Sequence, residues 1–213
     1  KVHILLGENG AGKSTLVKII SGVYHRDEGS MWYDGKEVNF TNVRQSMDAG
    51  ISIIHQELNR LPERTIAQNI YLGHEPMRKG LKGVVDYKKM VRDSRALMES
   101  LGLDMNPNTL VKKLSIAQMQ MVEVVKALSK EVKLVIMDEP TSSLTSREIT
   151  KLFEIVERLK KQGVAIIYIS HRMDEIKRIG DHVTVMRDGQ YIDTVNVADV
   201  ELDTLISMMV GRR

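Results

Sequence analysis

The sequence predicts an α/β fold with a mostly parallel sheet, an antiparallel β subregion and an inserted α-helical lobe, and three observations lead there. Apolar strand patterns alternate with helix patterns at both ends of the chain, as in a parallel sheet covered by helices. Two Asp-Gly pairs, Asp34-Gly35 and Asp188-Gly189, stand between strand-like runs and signal hairpins. The stretch from about 58 to 114 changes character, because it holds three of the four prolines together with several Gly and Asn. The expected division is one domain over 1–213, with a core of about 1–57 and 130–213 and a helical lobe of about 58–129.

Taken in order, Val2-His3-Ile4-Leu5-Leu6 reads as a strand, followed by a loop and a helix at about 13–21 that Gly22 closes. Residues 31–38 read as a hairpin around Asp34-Gly35, and Ile51-Ser52-Ile53-Ile54 as a short apolar strand. The best helix of the lobe is 87–101, with Asp86 as N-cap and Gly102 at its end. A further helix is expected at 115–129, then a strand at 132–137, a helix at 146–162, a strand at 164–169 and a second hairpin around Asp188-Gly189. The helix at 146–162 carries a clear signal: Thr145 and Glu148 have capping-box spacing, and Ile149, Leu152, Phe153, Val156 and Leu159 fall on one face.

Composition narrows the function. No run of eighteen apolar residues occurs, so a transport role would need another chain to supply the channel. The N-terminal stretch runs straight into a Gly-rich loop and has no signal-peptide pattern, and the abrupt start suggests part of a longer protein. The absence of cysteine excludes disulfides and Cys-ligated metals. A net charge of +3 without any block of like charges, and an aromatic content of 4%, argue against nucleic acid as a partner.

Two motifs carry chemistry. Gly7-Glu8-Asn9-Gly10-Ala11-Gly12-Lys13-Ser14 matches the phosphate-loop pattern, with an apolar strand before it and a helix that runs on through Thr15 after it. The glycines let the backbone curl so that successive N–H groups point at phosphate oxygens, and the helix N-terminus adds a positive dipole end. Lys13 supplies a cation for the β- and γ-phosphates, and Ser14 a hydroxyl for Mg²⁺. These features place the core among the P-loop NTPases, with ATP and Mg²⁺ as ligands. The second motif is Asp138-Glu139-Pro140, at the C-terminal end of the apolar run Leu134-Val135-Ile136-Met137. There Asp138 can hold Mg²⁺ through its water shell, and Glu139 can orient or deprotonate an attacking water.

Further residues bring a resemblance to the ABC ATPase family. Gln56 follows a strand and precedes the lobe, as that family's Q-loop glutamine does. Leu114-Ser115-Ile116-Ala117-Gln118 stands before a helix, about twenty residues ahead of the acidic pair, and resembles the LSGGQ signature. Thr141-Ser142-Ser143-Leu144-Thr145 stands where the D-loop belongs, and His171 ends the next strand as the switch histidine does. Ser115 and Gln118 also have capping-box spacing, which is compatible with a hydroxyl offered to an anion.

Two departures stand out: Ile116 and Ala117 replace both signature glycines, and Thr145 replaces the usual D-loop Asp. The substituted signature, MDEPTSSLT, YISHRMDEI and the ending MMVGRR are similar to the first half of monosaccharide importer ATPases of the galactose/methyl-galactoside and ribose type.

That resemblance implies an ATP-hydrolysing subunit, peripheral at the cytoplasmic face of a membrane, that powers sugar import. Its implied partners are a second ATPase half (in cis or as a homodimer), a transmembrane permease and, indirectly, a sugar-binding protein. Glu139, His171 and Gln56 would be catalytic; Ser14, Gln56 and Asp138 would surround the metal; Ser115–Gln118 would contact the partner's nucleotide. The family's adenine-stacking aromatic is expected upstream of the phosphate loop, where this sequence starts too late to show one. A non-hydrolysing regulatory half and a non-transport ABC ATPase are the alternatives that the residues leave open.

Overall fold

The computed structural model describes residues 1–55, 60–81 and 83–211. In chain order it contains β1 (Val2–Leu6), α1 (Lys13–Ile20), β2 (Met31–Tyr33), β3 (Lys36–Val38), α2 (Val43–Asp48) and β4 (Ile51–Ile54). Then come α3 (Ile66–Ile70), α4 (Tyr87–Ser100), a single 3₁₀ turn at Val111–Lys113, α5 (Ile116–Ala127), β5 (Leu134–Asp138) and α6 (Ser146–Lys161). The chain continues with β6 (Ala165–Ile169), α7 (Met173–Ile179), β7 (His182–Arg187), β8 (Gln190–Asn196) and α8 (Leu202–Val210).

The main sheet has the order β4-β5-β6-β1-β7-β8. Its pairs are parallel from β4 to β7, and only β7–β8 is antiparallel. The antiparallel part is therefore divided: β2 and β3 form a separate two-stranded hairpin, whereas β8 extends the main sheet. The expected α/β class with a mostly parallel sheet holds.

Strand periodicity sorts the core onto two faces. Val2, Ile4 and Leu6 of β1, Val135 and Met137 of β5, and Ile166 and Tyr168 of β6 join one cluster with the apolar face of α6. Their neighbours Leu5, Ile136 and Ile169 point the other way, where Val17 of α1 covers them. Strands buried on both faces need near-continuous apolar runs, and these strands have them. Each fully buried Ile or Met here adds roughly 1.5–3 kcal/mol of burial free energy.

The two long helices are built as their sequences ask. Asp86 accepts a hydrogen bond from the Lys89 N–H at 3.0 Å and caps α4. At the start of α6 the Glu148 carboxylate accepts from both the N–H and the hydroxyl of Thr145, each at 2.8 Å, which holds it below the usual carboxylate range. Ile149, Leu152, Phe153, Val156 and Leu159 are all buried as the spacing predicts.

Some boundaries differ. α5 is shorter than 115–129 because Ser115 is its cap rather than its first turn, and β5 begins two residues later than expected but takes in Asp138. Four short helices, α2, α3, α7 and α8, were not anticipated. None exceeds nine residues; Asn42 caps α2 and Thr65 caps α3, whereas α7 and α8 have no N-terminal side-chain cap and rest on packing.

Candidate active site

β6 lies between β1 and β5, and the parallel register puts Leu5, Ile169 and Asp138 in one row. Three connections therefore leave the sheet along one rim: the Gly-rich loop after β1, Ser170-His171 after β6, and Glu139-Pro140 after β5. Ile54 pairs with Met137, so β4 adds His55 to the same rim. Ligands of open α/β sheets bind beyond these C-terminal strand ends.

The loop after β1 is shaped by its glycines. A Cβ on Gly7 would lie 2.5 Å from the Met186 carbonyl oxygen and 2.9 Å from the Ala11 Cβ, so no side chain fits there. Gly10 and Gly12 have φ of 84° and 95°, the left-handed region that glycine enters without strain. Gly12 is the N-cap of α1 and no side chain caps this helix, which leaves its first-turn N–H groups and its dipole for a ligand.

Lys13 is buried, and its Nζ donates to the carbonyls of Gly7 at 2.8 Å and Glu8 at 3.0 Å. Burial lowers its pKa, and the negative charges of Glu139 and Asp138 oppose that shift. Ser14 and Thr15 are exposed.

The turn after β5 is built by constraint. Glu139 has φ of 46°, left-handed for a residue with a side chain, a state that costs about 1–3 kcal/mol and persists only where surroundings enforce it. Its N–H donates to the Ile169 carbonyl at 3.1 Å. Its Oε1 lies 3.1 Å from Nδ1 of His171. Burial, and then the neighbouring Glu139, raise the pKa of Asp138, while His55 and Lys13 pull it down. Two half-buried acids and one buried cation thus share one corner.

Asn9, Gly10, Ala11, Gly12, Lys13, Ser14, Thr15, Asp138 and Glu139 line one cavity of about 360 Å³. A neighbouring cavity is lined by Gly7, Glu8, Asn9, Glu139, His171 and Met209. The expected phosphate-loop, acidic and histidine residues are therefore brought together. The signature residues are not: Ser115 caps α5, Ile116 is exposed there, and neither these nor Ala117 and Gln118 line either cavity. Gln56 lies outside the described residues.

The corner suits a nucleoside triphosphate, with glycines, a helix N-terminus free of side-chain caps and a buried lysine in one loop. Among the described residues no group of three or more His, Cys, Asp or Glu could hold a metal on its own. Mg²⁺ does not require one, since it is commonly bound by one or two protein ligands, substrate phosphates and water. Asp138 and the Ser14 hydroxyl fit that pattern.

Sequence reasoning missed Met209, whose helix α8 it did not foresee, and Glu175. The latter is buried to 1% exposure beneath the His171 turn and accepts from Thr141, Tyr168 and Ser170. In the sequence Asp174-Glu175 looks like an ordinary acidic first turn of a helix.

Comparison with known proteins came out consistently. The profile of the ABC transporter family matches residues 1–142. A galactose/methyl galactoside import ATP-binding protein of Clostridium tetani is 52% identical over 213 residues, covering 99% of this chain and 42% of that protein. A putative ribose/galactose/methyl galactoside import ATP-binding protein of Halalkalibacterium halodurans is also 52% identical, over 99% of this chain and 40% of that protein. The chain thus spans about two fifths of the length of these relatives.

Among solved structures, an ATP-binding cassette of an ABC transporter in its ADP conformation superposes with a TM-score of 0.85 at 28% identity. That match covers 99% of this chain and 88% of the other. A nucleotide-free ATP-binding cassette gives 0.82 at 28% identity, over 99% and 84%.

Proposed function

We propose, for a chain that belongs to the ABC transporter family, that it binds Mg-ATP at the rim of its sheet and hydrolyses it to power import of a monosaccharide. One observation carries the reading: Asn9–Thr15 of the Gly-rich loop and the Asp138-Glu139 pair line a single cavity, with His171 in contact with Glu139. The names of the galactose and ribose import relatives support the transport role and the sugar class.

In this reading the loop amides and the α1 N-terminus bind the β- and γ-phosphates, and Lys13 turns from the loop carbonyls towards them. Mg²⁺ would neutralise developing charge between those phosphates, held by Ser14 and Asp138 and, by family resemblance, Gln56. Glu139 orients a water in line with the γ-phosphorus and draws off its proton. His171 positions Glu139 and contacts the γ-phosphate. No covalent enzyme intermediate is needed, because positioning and charge stabilisation carry phosphoryl transfer.

The remaining components are a second ATPase half, in cis or as a homodimer, whose signature closes over the nucleotide, and a permease with its sugar-binding protein. Ser115–Gln118 would serve the partner's nucleotide in the same way, which agrees with their distance from this chain's own cavity. Among the described residues no helix is long and apolar enough to cross a membrane, in keeping with a subunit docked on a permease at the cytoplasmic face. A third cavity, of about 430 Å³, supports such docking, since the exposed Val23, Val43, Met47 and Leu72 line it beside His55.

Titration with a fluorescent ATP analogue tests the reading. Binding should be Mg²⁺-sensitive and lost in Lys13→Ala. Equal affinity in that variant would overturn the assignment of the cavity.

A further inference from the structure

Beneath the Glu139–His171 contact lies a buried carboxylate for which the mechanism above has no task. Glu175, in the first turn of α7, is 1% exposed. Its Oε1 accepts from the Thr141 hydroxyl at 2.7 Å and faces Nε of Arg172 at 3.3 Å. Its Oε2 accepts from the Tyr168 and Ser170 hydroxyls, both at 2.9 Å. Three hydroxyls thus donate to it and the Arg172 guanidinium lies beside Oε1 as its ion pair, an all-donor surrounding that suits an acceptor-only carboxylate. Tyr168 remains an O–H donor throughout, because burial and the Glu175 charge push its pKa far above the ordinary value.

The donors come from the two turns that carry the reactive pair. Ser170 precedes His171, and its Oγ also accepts from the Arg172 N–H at 3.1 Å, so it brackets His171 from both sides. Thr141 is joined to Glu139 through Pro140 alone, whose ring fixes φ and makes a stiff link. Thr141 and Ser170 are each 2% exposed and have little freedom of their own.

We propose that Glu175 is the positioning residue of this site: one buried carboxylate anchors the Glu139 turn and the His171 turn together and so sets their 3.1 Å contact. The proposal rests on the reading of Glu139 and His171 as the hydrolytic pair. It accounts for the left-handed backbone of Glu139, which needs an enforcing neighbour. It also makes a chemical demand on position 175. In a Glu175→Gln variant the amide NH₂, whichever way it turns, faces two groups that donate in the native protein.

The test compares Glu175→Gln, Thr141→Val, Ser170→Ala and Tyr168→Phe for Mg-ATP turnover, ATP KM and thermal stability. A second readout needs no activity: the NMR resonances of the His171 ring in the nucleotide-free chain, assigned with His171→Ala.

Glu175→Gln should lower kcat on the order of 10–100-fold, the scale of a small misplacement of reacting groups, with KM within threefold. Its His171 resonances should shift while those of His25, which makes no contact with the Glu175 network, do not. Thr141→Val and Ser170→Ala should each lose several-fold in kcat. Tyr168→Phe, whose hydroxyl reaches Glu175 from the strand rather than from a turn, should lose stability with little change in kcat.

The proposal is overturned if Glu175→Gln keeps native kcat and native His171 resonances. It also fails if kcat losses follow the fall in stability, with Tyr168→Phe the worst. Should Glu175→Gln not fold, the Thr141 and Ser170 variants decide the matter. Failure of the underlying reading is separately visible as equal turnover in the native chain and Glu139→Gln, and the His171 resonances then still judge the anchor.

Discussion

The loop after β1 and the turn after β5 face each other across one cavity, yet they reach their shapes by opposite routes. The first is made of residues that want its conformation: glycines at φ of 84° and 95°, and a Gly7 with no room for a Cβ. The second forces a glutamate to φ of 46° and holds it from outside, through the Ile169 carbonyl, His171 and the Pro140–Thr141 link. A phosphate cradle needs backbone amides, and glycine exposes them. A water-positioning base needs a carboxylate, and no glycine can provide one. Where chemistry demands a side chain, the fold must supply the strain and the support as well.

Replacing the strained residue tests that contrast most severely. Glu139→Gly should cut turnover about 10²–10⁴-fold, the scale of a lost general base, and leave stability equal or higher, as left-handed strain is relieved. A drop in thermal stability would break the contrast. Next in size, Lys13→Ala should weaken nucleotide binding roughly 100-fold, with the range set by loss of a charge-assisted phosphate contact.

On the glycine side, Gly7→Ala should destabilise the chain by about 2–3 kcal/mol, since the new methyl meets a backbone carbonyl. Chemical denaturation measures this, and an unchanged midpoint would remove the steric argument.

The smallest effect concerns Asp138. Burial and Glu139 raise its folded pKa above the ordinary 3.8, so the folded state holds its proton more tightly than the unfolded state. Stability from this group is greatest at low pH and falls as pH rises from about 3.8 through the raised value. At neutral pH the native chain carries the whole penalty. Asp138→Asn should therefore raise neutral-pH stability, read as a higher Tm, and flatten the pH profile in that window. A loss of stability would mean that the carboxylate is a net structural asset.

The same contrast explains what could be read in the sequence. The Gly-rich loop, the caps at Asp86 and Ser115 and the apolar face of α6 are set by residues within a few positions of one another, so their spacing announced them. The parallel sheet followed from alternation, and the register then brought Asp138 and His171 to the rim. The anchor of the acidic turn was not legible, because Thr141 and Glu175 lie 34 residues apart and meet only in the folded chain. The short α7 and α8, which carry Glu175 and Met209, give no periodic signal of their own.

The central claim is that the acidic turn performs hydrolysis at the cavity that the glycine loop builds. Its most direct test is Mg-ATP turnover by the native chain beside Glu139→Gln, with nucleotide affinity measured on both. The account predicts equal affinities and turnover lower by about 10²-fold or more in the variant. Equal and measurable turnover in the two proteins, with nucleotide bound, would contradict it.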